Sequence, residues 1–138
     1  MNKMQRNTVI VAAKRTPIGS FQGQLSTLTA SDLASIVIRE LFKSISISTK
    51  EVDEVILGNV LCAGQGQAPA RQATIKSGIP NNVQSLTINK MCGSGLKAVM
   101  LADQAIRCQD SNIIVAGGME SMSNAPFLMN NIRDGHRL

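Results

Sequence analysis

Leu86-Thr87-Ile88-Asn89-Lys90-Met91-Cys92-Gly93-Ser94-Gly95-Leu96-Lys97-Ala98 carries a strand pattern, a cysteine and a helix pattern with almost no loop between them. Residues 86–91 are rich in apolar and β-branched types, and from Leu96 onward apolar residues recur at helical spacing. A cysteine where a strand hands over to a helix is chemically loaded. The first turn of a helix presents unpaired backbone N–H groups and the positive end of the helix dipole, and both stabilise negative charge on a sulfur placed there. Gly93 and Gly95 carry no side chains to shield that sulfur, so a carbonyl can approach closely. The backbone N–H of Cys92 can itself donate to an oxyanion forming beside it. This is a nucleophile's environment, and Cys92 is the candidate catalytic residue. A small buried residue at a tight junction is the plainer alternative that these residues alone leave open.

Strand and helix patterns alternate on both sides of this stretch. Thr8 to Ala13 is a short apolar run closed by Arg15-Thr16-Pro17-Ile18-Gly19, which is turn chemistry. Thr29-Ala30-Ser31-Asp32 has the spacing of a helix capping box. Leu33, Ile36, Val37, Leu41 and Phe42 follow at helical spacing, with Arg39 and Lys43 on the outer face. Glu54 to Val60 is a second strand. Pro69 suits the first turn of a helix over 68–77, Gly78 its stop, and Pro80 prevents its continuation. The helix after Cys92 places Leu96, Val99, Met100 and Ile106 on its expected inner face. Asn112 to Gly117 is a further strand. Strands near 8–13, 54–60, 86–91 and 112–117 with crossover helices between them imply an α/β fold on a mainly parallel sheet. From Met119 onward the periodicity degrades.

Composition narrows the function. A chain of 138 residues is one domain's worth, and its 43% hydrophobic and 17% charged content is that of a globular protein. With three Phe, no Trp and no Tyr, stacking on nucleic-acid bases has little to work with. Net charge is +5, but the basic residues are scattered rather than run together, so no nucleic-acid tail is expected. A solvated basic surface accounts for that charge, although a mild positive field also helps an anionic substrate approach. Cys62, Cys92 and Cys108 form no Cys-x-x-Cys pair and His136 is the single histidine, so no zinc site is expected. Cys62 has no evident activator, and Cys108 sits late in its helix, where the dipole opposes a thiolate. No stretch approaches the roughly 18 apolar residues of a membrane span, and no leader is evident; a cytoplasmic protein with free thiols is expected.

Gly93-Ser94-Gly95-Leu96-Lys97-Ala98 also fits G-x-G-x-x-A, with Glu120 past the next strand where a ribose-binding acid would sit. Against a dinucleotide fold, the unit comes third in the chain, and Cys92 occupies the turn that a pyrophosphate would approach.

Asn89 to Ala98 closely resembles the active-site segment of thiolases. Three further stretches agree in order: Val11 to Gly19, Gly58-Asn59-Val60 with Gly66 to Ala73, and Val115 to Pro126. The resemblance implies a thiolase-like layered fold, with residues 1–118 as the amino-terminal domain lacking its last strand and 119–138 as the start of an incomplete loop domain. It implies that Cys92 takes an acyl group from an acyl-CoA as a thioester. A second acetyl-CoA then attacks to give acetoacetyl-CoA, or thiolysis runs the reverse. Coenzyme A thioesters are substrates in this chemistry and no cofactor is expected. The family's second half carries a Gly-His-Pro histidine and an Asn-Glu segment, neither of which occurs here, and a second-half Cys-x-Gly cysteine, whose three-residue pattern is matched here only by Cys62-Ala63-Gly64 in the first half. Asp134-Gly135-His136-Arg137 does not match the histidine motif. The resemblance therefore leaves two readings: an acetyl-CoA acetyltransferase portion inactive alone, or an inert association module. Both imply a homo-oligomer, and a separate carboxy-terminal thiolase half is a further expected partner. Nucleic acid and membrane are not.

Overall fold

The computed structural model describes residues 7–130 together with 132 and 135. Its sheet has three strands, β1 (Glu54–Gly58), β2 (Gln84–Ile88) and β3 (Ile114–Gly118), all parallel, in the order β2-β1-β3. Helix α1 (Ala30–Lys43) precedes β1, α2 (Pro69–Lys76) joins β1 to β2, and α3 (Ser94–Cys108) joins β2 to β3. The first crossover steps one way along the sheet and the second steps back across β1. Right-handed connections therefore put α2 and α3 on opposite faces. Alternation along β1 follows from this. Val55 and Leu57 enter the core with Ala30, Ala34 and Ile38 of α1 and Ala70 and Ala73 of α2, while Gly58 faces Ser94 of α3.

The strand ends lie where side chains take over the backbone's hydrogen bonds. β3 begins at Ile114 rather than Asn112, because the N–H groups of Asn112 and Ile113 donate to the Asp53 carboxylate at 2.6 and 3.0 Å. These bonds, the one from Asn112 foremost, hold the Asp53 carboxyl below its ordinary pKa. β1 stops at Gly58 rather than Val60, because the N–H groups of Val60 and Leu61 turn to Glu120. β2 runs Gln84–Ile88 instead of 86–91, because its ladder is set by β1, from Glu54↔Gln84 to Gly58↔Ile88.

The capping box at α1 forms as its spacing implies. Thr29 Oγ1 accepts from the Asp32 N–H at 3.2 Å, and Asp32 Oδ2 accepts from the Thr29 N–H at 3.1 Å. Lys76 Nζ reaches Asp32 Oδ1 at 2.7 Å, so the end of α2 is tied to the start of α1. The Lys76 bond first, and then the Thr29 bond, hold the Asp32 carboxyl at a pKa of about 2.

Besides the strand limits, further expectations fail. The run 8–13 is not a strand of the sheet: it has no regular secondary structure, and Val9 and Ile10 are 73% and 79% exposed. A cavity of about 660 Å³ lies along β3, lined on its far side by Thr8 to Thr16. Strand preference is realised only against a paired, pleated neighbour, and the cavity separates this run from β3. The inner face of α3 is also not the expected one. Ser94, Ala98 and Ala102 are buried, while Leu96 is 69% and Met100 50% exposed. Likewise in α1, Ala34 and Ile38 are buried and Ile36 is exposed. Small residues let α3 sit close against the sheet with Leu96 and Met100 left at its flanks, while α1 buries Ile38 together with the smaller Ala34.

Candidate active site

The site is built where α3 crosses the carboxyl ends of β1 and β3. A Cβ added at Gly58 would lie 2.5 Å from Ser94 Cβ and 2.8 Å from the Gly95 nitrogen, and one at Gly118 would lie 3.2 Å from the Gly95 Cα. Backbone meets backbone here only because glycine occupies these positions. The carboxyl ends of parallel strands are also where α/β sheets bind their ligands.

Between β2 and α3 the chain turns sharply. Met91 adopts φ +50°, a left-handed conformation unusual for a residue with a side chain. The Gly93 N–H donates to the Lys90 carbonyl at 3.0 Å, and the Ser94 N–H to the Met91 carbonyl at 3.0 Å. Gly93 is the N-cap of α3, and no side chain caps that helix. Cys92 thus stands one residue before the N-cap rather than inside the first turn, and it is exposed. The first-turn N–H groups of α3 have no side-chain oxygen competing for them.

Ser94 is buried and braces the turn from within. Its Oγ accepts from the Lys90 N–H at 2.8 Å and donates to the Met91 carbonyl at 2.6 Å. Asn89 braces it from the other side, with Oδ1 accepting from the Met91 N–H at 3.0 Å and Nδ2 donating to the Val60 carbonyl at 3.3 Å. The loop that carries Val60 is itself fixed by Glu120. That carboxylate accepts from Asn59 Nδ2 at 2.8 Å and from the N–H groups of Val60 and Leu61, each at 3.0 Å. Asn59, only 1% exposed, also donates to the Met119 carbonyl and accepts from Gln65 at 3.1 Å.

Among the sequence candidates, Cys92 is brought to the turn and left open. Cys62 sits in the loop after β1, where its Sγ donates to the Asn59 carbonyl and to Asn59 Oδ1, each at 3.4 Å. Cys108 is the last residue of α3, at the opposite end of that helix from Cys92. His136 lies outside the described residues. The dinucleotide alternative fails at Glu120, whose oxygens are committed to the β1 loop rather than offered to a ribose. The chain pattern pointed to Cys92 but not to its supports. An Asn two residues before a left-handed position is the one signal that marks Asn89, because such side chains fold back onto the N–H two residues on.

Comparison with known proteins agrees with this geometry. The family profile described as thiolase, N-terminal domain, matches residues 8–138. An acetyl-CoA acetyltransferase of Pseudomonas aeruginosa is 55% identical over 133 residues, which is 96% of this chain and 34% of that protein. A mitochondrial acetyl-CoA acetyltransferase of Danio rerio is 54% identical over 121 residues, 88% of this chain and 29% of that protein. The crystal structure of the Acat5 thiolase of Ascaris suum in complex with coenzyme A superposes with a TM-score of 0.83 at 47% identity, covering 85% of this chain and 31% of that one. The chain thus spans about a third of the length of the curated relatives it matches. A parallel sheet with an exposed cysteine at the turn into α3, and a profile match over nearly all of the sequence, lead to one conclusion: the chain belongs to the thiolase family, in the part that forms its N-terminal domain.

Proposed function

We propose that this chain is the acyl-accepting portion of an acetyl-CoA acetyltransferase, with Cys92 as the nucleophile. The observation that carries the reading is the exposed Cys92 at a braced turn one residue before the uncapped start of α3. The sulfur attacks the thioester carbonyl of an acyl-CoA. A carbon–sulfur bond forms to Cys92, the bond to coenzyme A breaks, and coenzyme A leaves as its thiol. The Cys92 N–H is the donor offered to the oxyanion on the way, since the Gly93 and Ser94 N–H groups are bonded to the Lys90 and Met91 carbonyls. Coenzyme A thioesters are the substrates, in keeping with the coenzyme A complex of the Ascaris relative.

The second step requires a base for the attacking acetyl-CoA, and the Gly-His-Pro and Asn-Glu motifs of the family's second half do not occur in this sequence. The chain alone is therefore expected to accept an acetyl group without sustained turnover. A homo-oligomer and a separate carboxy-terminal thiolase half are the partners this reading implies. In the same reading residues 1–118 form the core domain and 119–138 open a loop domain. A cytoplasmic location is in keeping with three cysteines that form no disulfide.

The test is release of free coenzyme A from acetyl-CoA. One equivalent per chain, released in a single burst and lost in Cys92→Ser but kept in Cys62→Ser, is the expected result. No release points instead to a chain that serves only in association. Sustained acetoacetyl-CoA thiolysis by the chain alone contradicts the expected inactivity.

A further inference from the structure

The turn before Cys92 depends on a backbone conformation that its own residue resists. Met91 holds φ +50°, and only glycine enters that region without cost. Something must hold it there. The structure shows two holders, one at each side of the Met91 residue. Its N–H donates to Asn89 Oδ1 at 3.0 Å, and its carbonyl accepts from Ser94 Oγ at 2.6 Å. Neither holder is loose. Ser94 is 4% exposed and also accepts from the Lys90 N–H at 2.8 Å. Asn89 donates to the Val60 carbonyl, and Glu120 fixes the N–H of that same residue at 3.0 Å. The chain of contacts thus runs from the end of β3, across the β1 loop, to the residue next to Cys92.

We infer that Asn89 and Ser94 are positioning residues that lock Met91 in its left-handed conformation and thereby set how the exposed Cys92 sulfur is presented at the start of α3. The inference deepens the reading of Cys92 as acyl acceptor and rests on it for its biological meaning. Its test does not rest on it, because alkylation requires only an oriented, reachable sulfur.

The experiment measures alkylation of each cysteine by iodoacetamide, resolved by peptide mass spectrometry, with Cys108 of the same chain as internal reference. Asn89→Ala and Ser94→Ala should each slow Cys92 about fivefold relative to Cys108, the size of effect that loss of the one hydrogen bond each makes to Met91 allows. Adding Met91→Gly to Asn89→Ala should restore the rate to within about twofold of the parent, because glycine takes the left-handed conformation without a brace. A role of Asn89 that does not act through Met91 would not be repaired by that glycine. Unchanged Cys92 rates in both single variants overturn the inference, and so does a slowed Asn89→Ala that Met91→Gly leaves slow. If Asn89→Ala loses its circular dichroism, the double variant carries the comparison: parental reactivity supports the inference and slow reactivity overturns it. Failure of acetyl-CoA to release coenzyme A, with these alkylation results intact, would instead sink the acyl-acceptor reading alone.

Discussion

Gly58 and Gly78 show how differently two glycines constrain one fold. At Gly58 the backbone is ordinary but the space is full, with Ser94 Cβ 2.5 Å and the Gly95 nitrogen 2.8 Å from where a Cβ would stand. At Gly78 nothing lies within 4 Å, but φ is +84°. Gly58→Ala must push α3 off the sheet, and a cost of about 3 kcal/mol is expected from overpacking of this kind. Gly78→Ala meets only the strain of its backbone, about 1 kcal/mol. Urea unfolding of the two variants should rank them in that order, and equal midpoints would contradict the packing described at Gly58. The Gly58 variant should also alter Cys92 reactivity, since Ser94 moves with α3. At this scale the sequence marked Cys92 and Gly78 by local chemistry. It named Gly58 only within a motif and Glu120 only for a ribose contact, and missed their packing and bracing roles, because what they meet is 36 and 60 residues away in the chain and comes together only through the crossovers.

At the scale of elements, α1 is held at its start by the capping box and the bond from Lys76, which share the Asp32 carboxylate. Thr29→Ala removes the cap and is expected to cost about 1 kcal/mol. The Asp32 carboxyl, with a folded pKa of about 2, lies below its unfolded value. Its contribution is therefore complete above about pH 4, near the ordinary carboxylate value, and is lost as pH falls toward the folded pKa. The fall in urea midpoint between pH 4 and pH 2 should be smaller in Asp32→Asn than in the parent. An identical fall in both would show that Asp32 carries none of it. The capping box was readable because it is local: four residues contain the whole device. The strand limits were not, because each is set by a partner far along the chain. Asp53 takes the first N–H groups of the stretch expected to open β3, and Glu120 takes those expected to close β1. Helical spacing likewise named the amphipathic helices but not their inner faces. Periodicity finds the large apolar residues, whereas close packing on the sheet left the small Ser94, Ala98 and Ala102 buried, Ser94 against the glycine-bearing end of β1.

Across the whole molecule, much apolar surface remains uncovered. Leu96, Val99 and Met100 on α3 and Phe127, Leu128 and Met129 beyond it are exposed. One side of β3 carries no paired strand among the described residues and opens onto the cavity beside residues 8–16. Free strand edges and apolar patches of this kind favour association. Light scattering at micromolar concentration should therefore report a dimer or larger species, and replacing Leu96 and Met100 together by Glu should shift it toward monomer. A clean monomer in the parent would contradict this account of the surface. The run 8–13 belongs to the same picture. Its composition is that of a strand, and the ladder it would need is what the described residues do not provide. The general α/β arrangement was legible from the alternation of patterns, and the family from four motifs in order. The account of what the molecule does converges on one sulfur. Site-resolved mass spectrometry after incubation with acetyl-CoA should find a single acetyl group on the peptide containing Cys92. An acetyl group found instead on Cys62 or Cys108, or none on any cysteine of the folded chain, would contradict it.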